Sequence, residues 1–157
     1  AGQLKLAIED VDLSAELEDV IEDARVLAVD SNLAFDVRIE PRVRVQADRS
    51  LLQMALLNLL SNAVKYNEPG GAVAVTLEAG DAQARLAVCN SGPGIPPSDQ
   101  ARVFERFYRA DQTRNRTQDG LGLGLSLARE ILHAHRGRLV LAESRPGRTC
   151  FEVTLPL

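Results

Sequence analysis

The stretch LLQMALLNLLSNAVKYN, residues 51–67, contains the richest apolar run of this chain. Its apolar residues recur at helical spacing, which predicts a helix that opens at Asp48 or Ser50 and runs to about Asn67, where Pro69-Gly70-Gly71 stops it. No uninterrupted apolar run in the sequence reaches the roughly 18–20 residues of a membrane span. The helix is therefore expected to lie inside a globular domain.

This predicted helix carries a polar stripe. Successive residues turn by about 100° on a helix, so Asn58, Asn62, Lys65 and Tyr66 fall on one side. The opposite side is apolar and carries Leu56, Leu57, Leu60 and Val64. Asparagine oxygens suit Mg²⁺ and lysine suits phosphate, so the stripe is interpreted as a ligand face. The alternative is that these amides bond to neighbouring backbone groups.

The composition indicates one domain over residues 1–157. Apolar residues make up 45% and charged residues 25%, which excludes disordered and collagen-like classes. The net charge of -4 argues against a nucleic-acid binder. The N-terminus shows no signal peptide pattern, and because residue 1 is Ala the chain is expected to be cut from something longer.

Apolar patterning predicts the flanking elements. Strands are expected at residues 4–8, 35–39, 43–47, 72–78, 84–89, 139–142 and 151–155, and helices at 13–27, 98–107 and 123–135. Pro41 lies between two of these strands, which are predicted to join through a tight turn. Residues 108–119 are polar and patternless, which is typical of a mobile loop. The pattern favours an α+β fold with helices stacked on one face of a mixed sheet.

The cysteines and histidines show no catalytic or metal-binding spacing. Cys89 and Cys150 lie far apart in strand-like sequence, so we expect two core thiols in a reducing compartment. His133 and His135 stand at a predicted helix end without a nucleophile or carboxylate pattern around them. Both are interpreted as structural or surface residues.

Two glycine-rich segments could approach a ligand closely. The segment NSGPGI (90–95) directly follows a strand, and its glycines allow backbone to approach a planar group. The segment GLGLGL (120–125) runs into a helix, where free amide groups can form an anion site. A turn or a hinge would explain either segment alone. No Gly-Lys-Ser/Thr follows, so this is not a P-loop.

Taken in order, these segments resemble the ATP-binding catalytic domain of sensor histidine kinases, in the superfamily shared with gyrase, mismatch-repair and chaperone ATPases. NLLSNAVKYN (58–67) is similar to that family's N box, NSGPGI to its G1 box, VFERFYR (103–109) to its F box, GLGLGL to its G2 box, and PGRTCFEVTLP (146–156) to its final strand pair. The resemblance covers essentially the whole chain. It implies a two-layer α/β sandwich of the Bergerat type, with a mixed, mostly antiparallel sheet packed on three helices.

The resemblance implies Mg-ATP as the ligand, held between the second helix and a lid at residues 108–122. It assigns Asn62 to Mg²⁺, Lys65 to phosphate and Thr149 to a water-mediated adenine contact. Lys65, Arg109 and Arg114 are the implied catalytic residues, since such cations would neutralise the transferring γ-phosphoryl group. The implied nucleotide-binding residues are Asn58, Asn62, Lys65, Tyr66, Asn90, Gly92, Gly94, Ile95, Gly120, Gly122, Leu123, Gly124, Leu125 and Thr149.

Two features depart from the family pattern. The G1 box usually begins with Asp, which accepts from the adenine amino group, whereas this chain has Asn90; the heavy-metal-responsive branch is similar at this position. Because charge strengthens a hydrogen bond, Asn90→Asp is expected to tighten ATP binding. The phosphoacceptor segment, a His followed by an acidic residue and Arg-Thr-Pro, is missing from the chain.

Three functions remain open from the sequence. The first is a kinase domain that phosphorylates a His on a separate dimerisation and phosphoacceptor domain, and so acts indirectly on a response regulator. The second is a hydrolysing ATPase of the gyrase or chaperone type, and the third is a catalytically degenerate nucleotide-binding module. Hydrolysing relatives carry a Glu general base at the position of Asn58, and an amide cannot take a proton at neutral pH. The isolated domain is expected to be a monomer in the cytoplasm, with a membrane-anchored parent.

Overall fold

The computed structural model describes residues 4–106 and 124–157. Its strands are β1 (Ile8–Asp12), β2 (Ala34–Ile39), β3 (Arg44–Asp48), β4 (Ala72–Ala79), β5 (Gln83–Asn90), β6 (Arg138–Arg145) and β7 (Arg148–Pro156). Its helices are α1 (Leu13–Leu27), α2 (Arg49–Lys65) and α3 (Gly124–Ala134), with 3₁₀ segments at Val29–Ser31 and Pro97–Arg102. The helix predicted over residues 98–107 is thus a shorter 3₁₀ segment, after which the chain turns to bury Val103.

Five of the strands form one sheet in the order β2-β4-β5-β7-β6. β2 runs parallel to β4, and every other neighbouring pair in this sheet is antiparallel. Alternate residues of the central strands are buried, and α2 packs against both α1 and α3. A mixed, mostly antiparallel sheet backed by three helices confirms the predicted α+β sandwich.

β2 and β3 do not form the hairpin that the sequence predicted. β3 instead pairs antiparallel with β1, in a separate two-stranded sheet. Ser14 holds the segment that connects β2 to β3. This residue is 3% exposed, and its hydroxyl donates to the Glu40 carbonyl at 2.6 Å and accepts from the Val43 amide at 3.0 Å. Apolar alternation predicts that a segment is a strand but does not say which strand it pairs with. The first strand also begins at Ile8, later than the predicted Leu4.

α2 is the buried centre of the helical layer. Leu52, Leu56 and Leu60 are fully buried. Leu57, which the sequence placed on the apolar side, is 37% exposed because it lies at the edge of that side, about 100° from Leu56. None of the helices in the described part of the chain is long and apolar enough to cross a membrane.

The N-terminus of α2 is fixed by Asp48. Its carboxylate accepts from the Ala7 amide at 2.9 Å and, as the helix cap, from the Leu51 amide at 3.1 Å. These backbone amides, that of Ala7 foremost, hold the pKa of Asp48 below its usual value. The Asp48 amide in turn donates to Nε2 of His135 at 3.0 Å, and the Nδ1 of that ring lies 2.8 Å from the Ile131 carbonyl. A neutral ring with its proton on Nδ1 satisfies both bonds.

The two cysteines form a disulfide, which corrects the prediction of two separate thiols. Cys89 on β5 and Cys150 on β7 are direct partners in the antiparallel ladder, with Cα atoms 4.0 Å apart. The two cysteines are 61 residues apart in sequence, so no sequence pattern indicates this pairing. They meet because β7 lies between β5 and β6 in the sheet. His133 and His135 are as predicted: the first is exposed and the second is a buried structural residue.

His135→Phe should destabilise the fold by about 1–3 kcal/mol, because it leaves the Asp48 amide without an acceptor while keeping a ring of similar shape. The measurement is the free energy of unfolding in urea. His133→Phe is the matched control, since that side chain is exposed and should change stability by less than about 0.5 kcal/mol. Equal losses in the two variants would contradict the assigned role.

Candidate functional site

The polar stripe of α2 faces the start of α3. The Asn58 side-chain amide donates to the Gly124 carbonyl at 3.1 Å. Asn62 is half-buried and Lys65 is exposed, and the side chains of both form no hydrogen bond or ion pair with the residues that the structure describes. Tyr66 is the C-cap of the helix and is also half-buried. The stripe thus presents an amide and an ammonium whose bonding capacity is open to a ligand.

The glycine segment after β5 closes against the end of α2. Gly92 is buried with φ 126°, and a Cβ at this position would overlap the Tyr66 carbonyl. Its own carbonyl accepts from the Gly147 amide at 2.7 Å, which ties the segment to the β6–β7 turn. Gly94, with φ 79°, leaves only 2.6 Å between an added Cβ and the Arg145 carbonyl. Both positions require glycine, because a backbone carbonyl lies where the Cβ of any other residue would be.

A short hydrogen-bond chain links the rest of this segment to β7. The Ile95 amide donates to the Ser144 hydroxyl at 2.8 Å, and that hydroxyl lies 2.7 Å from the Thr149 hydroxyl. Thr149 is 6% exposed. Ser144 was not predicted from the sequence, because it carries no motif of its own and gains its place only from the β6–β7 pairing. These two hydrogen bonds fix the positions of Ile95 and Thr149 relative to one another.

Asn90 ends β5 beside Thr149, its partner in the ladder. It is 6% exposed, and its side-chain amide donates to the Ser91 carbonyl at 2.6 Å. Because this bond requires the nitrogen to face Ser91, the side-chain oxygen is left as an acceptor. That oxygen has no hydrogen-bond partner in the described ranges 4–106 and 124–157.

The F box segment is anchored on the core beside α3. Val103 is 2% exposed, and the Phe104 ring meets Phe151 edge-on with centroids 5.9 Å apart. The Arg129 guanidinium of α3 lies 5.2 Å from the centre of the Phe104 ring. Gly124 and Leu125 open α3, and Leu125 packs against the core. Arg109, Arg114, Gly120, Gly122 and Leu123 lie outside the described residues.

The arrangement fits an adenine nucleotide with a magnesium ion at its phosphates. The Asn90 oxygen, which has no partner among the described residues, matches the exocyclic amino group of an adenine base. Among residues 4–106 and 124–157, no group of three or more His, Cys, Asp or Glu side chains could hold a metal. Asn62 has a side-chain oxygen of the kind that could serve as a protein ligand to a Mg²⁺ ion carried by phosphates.

A family model described as histidine kinase-, DNA gyrase B- and HSP90-like ATPase matches residues 47–157. The chain belongs to this family. The match begins just before α2 and takes in every residue of the site described above.

Similar curated proteins include a sensor histidine kinase and a sensor protein. The chain is 40% identical over 147 residues to the probable sensor histidine kinase TcrY of Mycobacterium tuberculosis, covering 94% of this chain and 30% of the relative. It is 38% identical over 154 residues to the probable sensor protein PcoS of Escherichia coli, covering 98% and 32%. The chain thus spans about a third of the length of these relatives.

Solved structures agree with the sequence matches. The mycobacterial sensor histidine kinase MprB superposes with a TM-score of 0.81 at 36% identity, covering 94% of this chain and 97% of that one. The nucleotide-free catalytic domain of the histidine kinase ThkA gives 0.83 at 27% identity, covering 96% of each chain. Full-length ShkA in complex with AMPPNP gives 0.83 at 28%, covering 99% and 32%. Sequence and fold are those of the ATP-binding catalytic domain of sensor histidine kinases.

Gly92→Ala should destabilise the protein by about 3 kcal/mol or more, because the new Cβ combines a left-handed backbone with overlap of the Tyr66 carbonyl. Gly70→Ala is the matched control: its φ is also positive, at 74°, but no atom lies within 4 Å of an added Cβ. That variant should lose only about 1–2 kcal/mol, the cost of the backbone conformation. Equal losses in urea unfolding would show that the close approach to Tyr66 is not a constraint.

Proposed function

We propose that this domain binds Mg-ATP and transfers its γ-phosphoryl group to a His on a separate dimerisation and phosphoacceptor domain of the same kinase. The observation that carries the proposal is that the Asn90 side-chain oxygen and the side chains of Asn62 and Lys65 bond to no other residue within 4–106 and 124–157, in a member of this ATPase family. A response regulator would then receive the phosphoryl group from that His, so its contact with this domain is indirect.

Different residues are assigned to the adenine and to the phosphates of ATP. The oxygen of Asn90 would accept from the adenine amino group, while Thr149 acts through a water and Tyr66, Gly92, Gly94 and Ile95 wall the slot. Lys65 would hold phosphate oxygens, and Asn58 holds the start of α3 in place through the Gly124 carbonyl. Gly120, Gly122, Leu123, Gly124 and Leu125 would supply the phosphate cradle, as the sequence predicts.

Phosphoryl transfer asks mainly for positioning and charge stabilisation. Mg²⁺ supplies part of that charge when bound with ATP, and the Asn62 oxygen is the protein ligand that we assign to it. We assign the remaining positive charge to Lys65, Arg109 and Arg114. The His acceptor lies on another domain, so the isolated chain should bind nucleotide without phosphorylating itself.

The hydrolysing alternative is disfavoured by Asn58. Its amide donates to the Gly124 carbonyl, and an amide has no basic site to activate water at neutral pH. We therefore place this domain with the kinases, working in the cytoplasm where ATP is available and belonging to a membrane-anchored sensor. We expect the isolated domain to be a monomer that binds no nucleic acid.

The proposal is tested by mixing this domain with a separately prepared phosphoacceptor domain. ATP labelled at the γ-phosphate, mixed with both domains and Mg²⁺, should yield acid-labile, base-stable phosphate on the acceptor His. Release of inorganic phosphate by the catalytic domain alone, at a rate that the acceptor does not affect, would instead favour the hydrolysing ATPase. Absence of ATP binding by calorimetry would reject both functions.

Asn62→Ala should weaken Mg-ATP binding at least tenfold and abolish the difference between affinities measured with and without Mg²⁺, because it removes a metal ligand. Titration calorimetry in the presence of Mg²⁺ or EDTA measures both quantities. Met54→Ala, on an exposed part of the same helix, is the control and should bind as the unchanged domain does. Persistence of the magnesium effect in Asn62→Ala would reject the assignment.

Asn90→Asp should weaken ATP binding about two- to tenfold, the range of one hydrogen bond, here the bond that we assign between the residue 90 oxygen and the adenine amino group. The Asn90 amide donates to the Ser91 carbonyl at 2.6 Å, whereas a carboxylate would be repelled by that oxygen and would not hold its acceptor in the same place. The sequence alone leads to the opposite expectation, tighter binding through the added charge. Calorimetry compares the two proteins, with Asn90→Ala as the reference that lacks both donor and acceptor. Tighter binding by Asn90→Asp would mean that its carboxylate turns away from Ser91 and meets adenine directly.

A further inference from the structure

The disulfide between Cys89 and Cys150 lies on the face of the sheet that the helices leave uncovered. On β5, Cys89 alternates with Val88, and on β7, Cys150 alternates with Phe151, two residues that belong to the core. Because successive strand residues point to opposite faces, both sulfur atoms lie on the outer face. The cysteines are nevertheless only 8% and 4% exposed.

The disulfide is adjacent to the nucleotide slot. The next rung of the same ladder is the pair Asn90 and Thr149. Thr149 continues through the Ser144 hydroxyl to the Ile95 amide, with separations of 2.7 Å and 2.8 Å. A covalent bond at residues 89 and 150 therefore fixes the distance between the two strands one residue away from the groups that we assign to adenine.

Two charged side chains cover the sulfur atoms unequally. The Arg148 guanidinium lies 3.6 Å from Sγ of Cys89, and Oε1 of Glu143 lies 3.8 Å from Sγ of Cys150. Arg148 also donates to Glu143 at 2.9 Å, and this ion pair lowers the pKa of Glu143. A guanidinium favours a thiolate at Cys89, whereas a carboxylate disfavours one at Cys150. This asymmetry gives one sulfur the character of a leaving group.

We propose that Cys89 and Cys150 form a reversible redox site whose thiol–disulfide state sets the affinity of the adjacent slot for ATP. The coupling rests on the proposed function. Disulfides of proteins in a reducing compartment are usually transient and redox-sensing, so the disulfide of an ATP-dependent cytoplasmic domain fits this use better than a permanent staple.

The reductant is a dithiol. Its first thiolate attacks Sγ of Cys150, the protein S–S bond breaks, and Cys89 leaves as a thiolate beside Arg148. The second thiol of the reductant, as thiolate, then attacks its own sulfur in the mixed disulfide and releases Cys150. Two electrons pass to the protein, the two protons of the reductant go to water or to released Cys150, and the reductant becomes a cyclic disulfide. Glu143, which lies beside Sγ of Cys150 and whose side chain is 45% exposed, can move aside to admit the reductant while Arg148 stays at Cys89.

Reduction should weaken ATP binding. Two unbonded sulfur atoms must separate to van der Waals distance, and the rung of Asn90 and Thr149 loses the covalent constraint beside it. The nucleotide must then order that rung on binding, which lowers its affinity.

The test compares the domain oxidised with oxidised glutathione and reduced with dithiothreitol. Thiols are counted by maleimide labelling and mass, and ATP affinity is measured by calorimetry. The reduced form should bind ATP about five- to tenfold more weakly, the lower part of the range for coupled sites. The double variant Cys89→Ser/Cys150→Ser is the control and should bind equally under both treatments.

Arg148→Gln tests the assigned chemistry. It should slow disulfide formation by oxidised glutathione and leave the ATP affinity of the oxidised form unchanged. Arg145→Gln is the matched control, since Arg145 also pairs with Glu143, at 3.7 Å, and has no contact with a sulfur. Two free thiols after oxidation, or equal affinities in the two states, would overturn the redox proposal alone. No ATP binding in either state would reject it together with the proposed function.

Discussion

Contacts at both ends of α2 hold this helix in place and so position the candidate site. At its first turn, Asp48 accepts from two backbone amides and gives its own amide to His135. At its last turn, the Tyr66 carbonyl meets the backbone of Gly92 so closely that a single added carbon would not fit. Contacts with segments distant in sequence therefore fix both ends of the helix. The position of the polar stripe between these ends is fixed as a result.

Different residues of α2 stabilise the fold and face the candidate ligand site. Leu52, Leu56 and Leu60 are fully buried, and each contributes about 1.5–3 kcal/mol by leaving water. Asn62 and Lys65 contribute no side-chain hydrogen bond within the described ranges, so the helix does not need them to stay in place. A ligand could therefore bind these two polar groups without breaking a side-chain hydrogen bond within the described part of the helix.

Local patterns allowed most of the elements and the motif positions to be predicted, but not the pairings between distant segments. The helix over residues 51–67 and the glycine segments are recognisable because their chemistry is contiguous. The parallel pairing of β2 with β4, the separate β1–β3 sheet and the Cys89–Cys150 disulfide depend on which strands lie side by side, and apolar alternation within one strand does not determine its neighbour. Ser144 escaped prediction for the same reason, since only strand pairing brings it to Thr149.

Asn58 and Asn90 limit the chemistry in complementary ways. Each is an amide, and each uses its nitrogen to hold a backbone carbonyl, that of Gly124 or of Ser91. Neither can act as a base, and replacing either by a carboxylate would set an unprotonated oxygen against a carbonyl. The site that we propose would position a nucleotide with neutral amides and a single lysine on α2. Such a site suits transfer to a nucleophile that another domain supplies, because the attacking imidazole brings its own lone pair and needs no base from this chain.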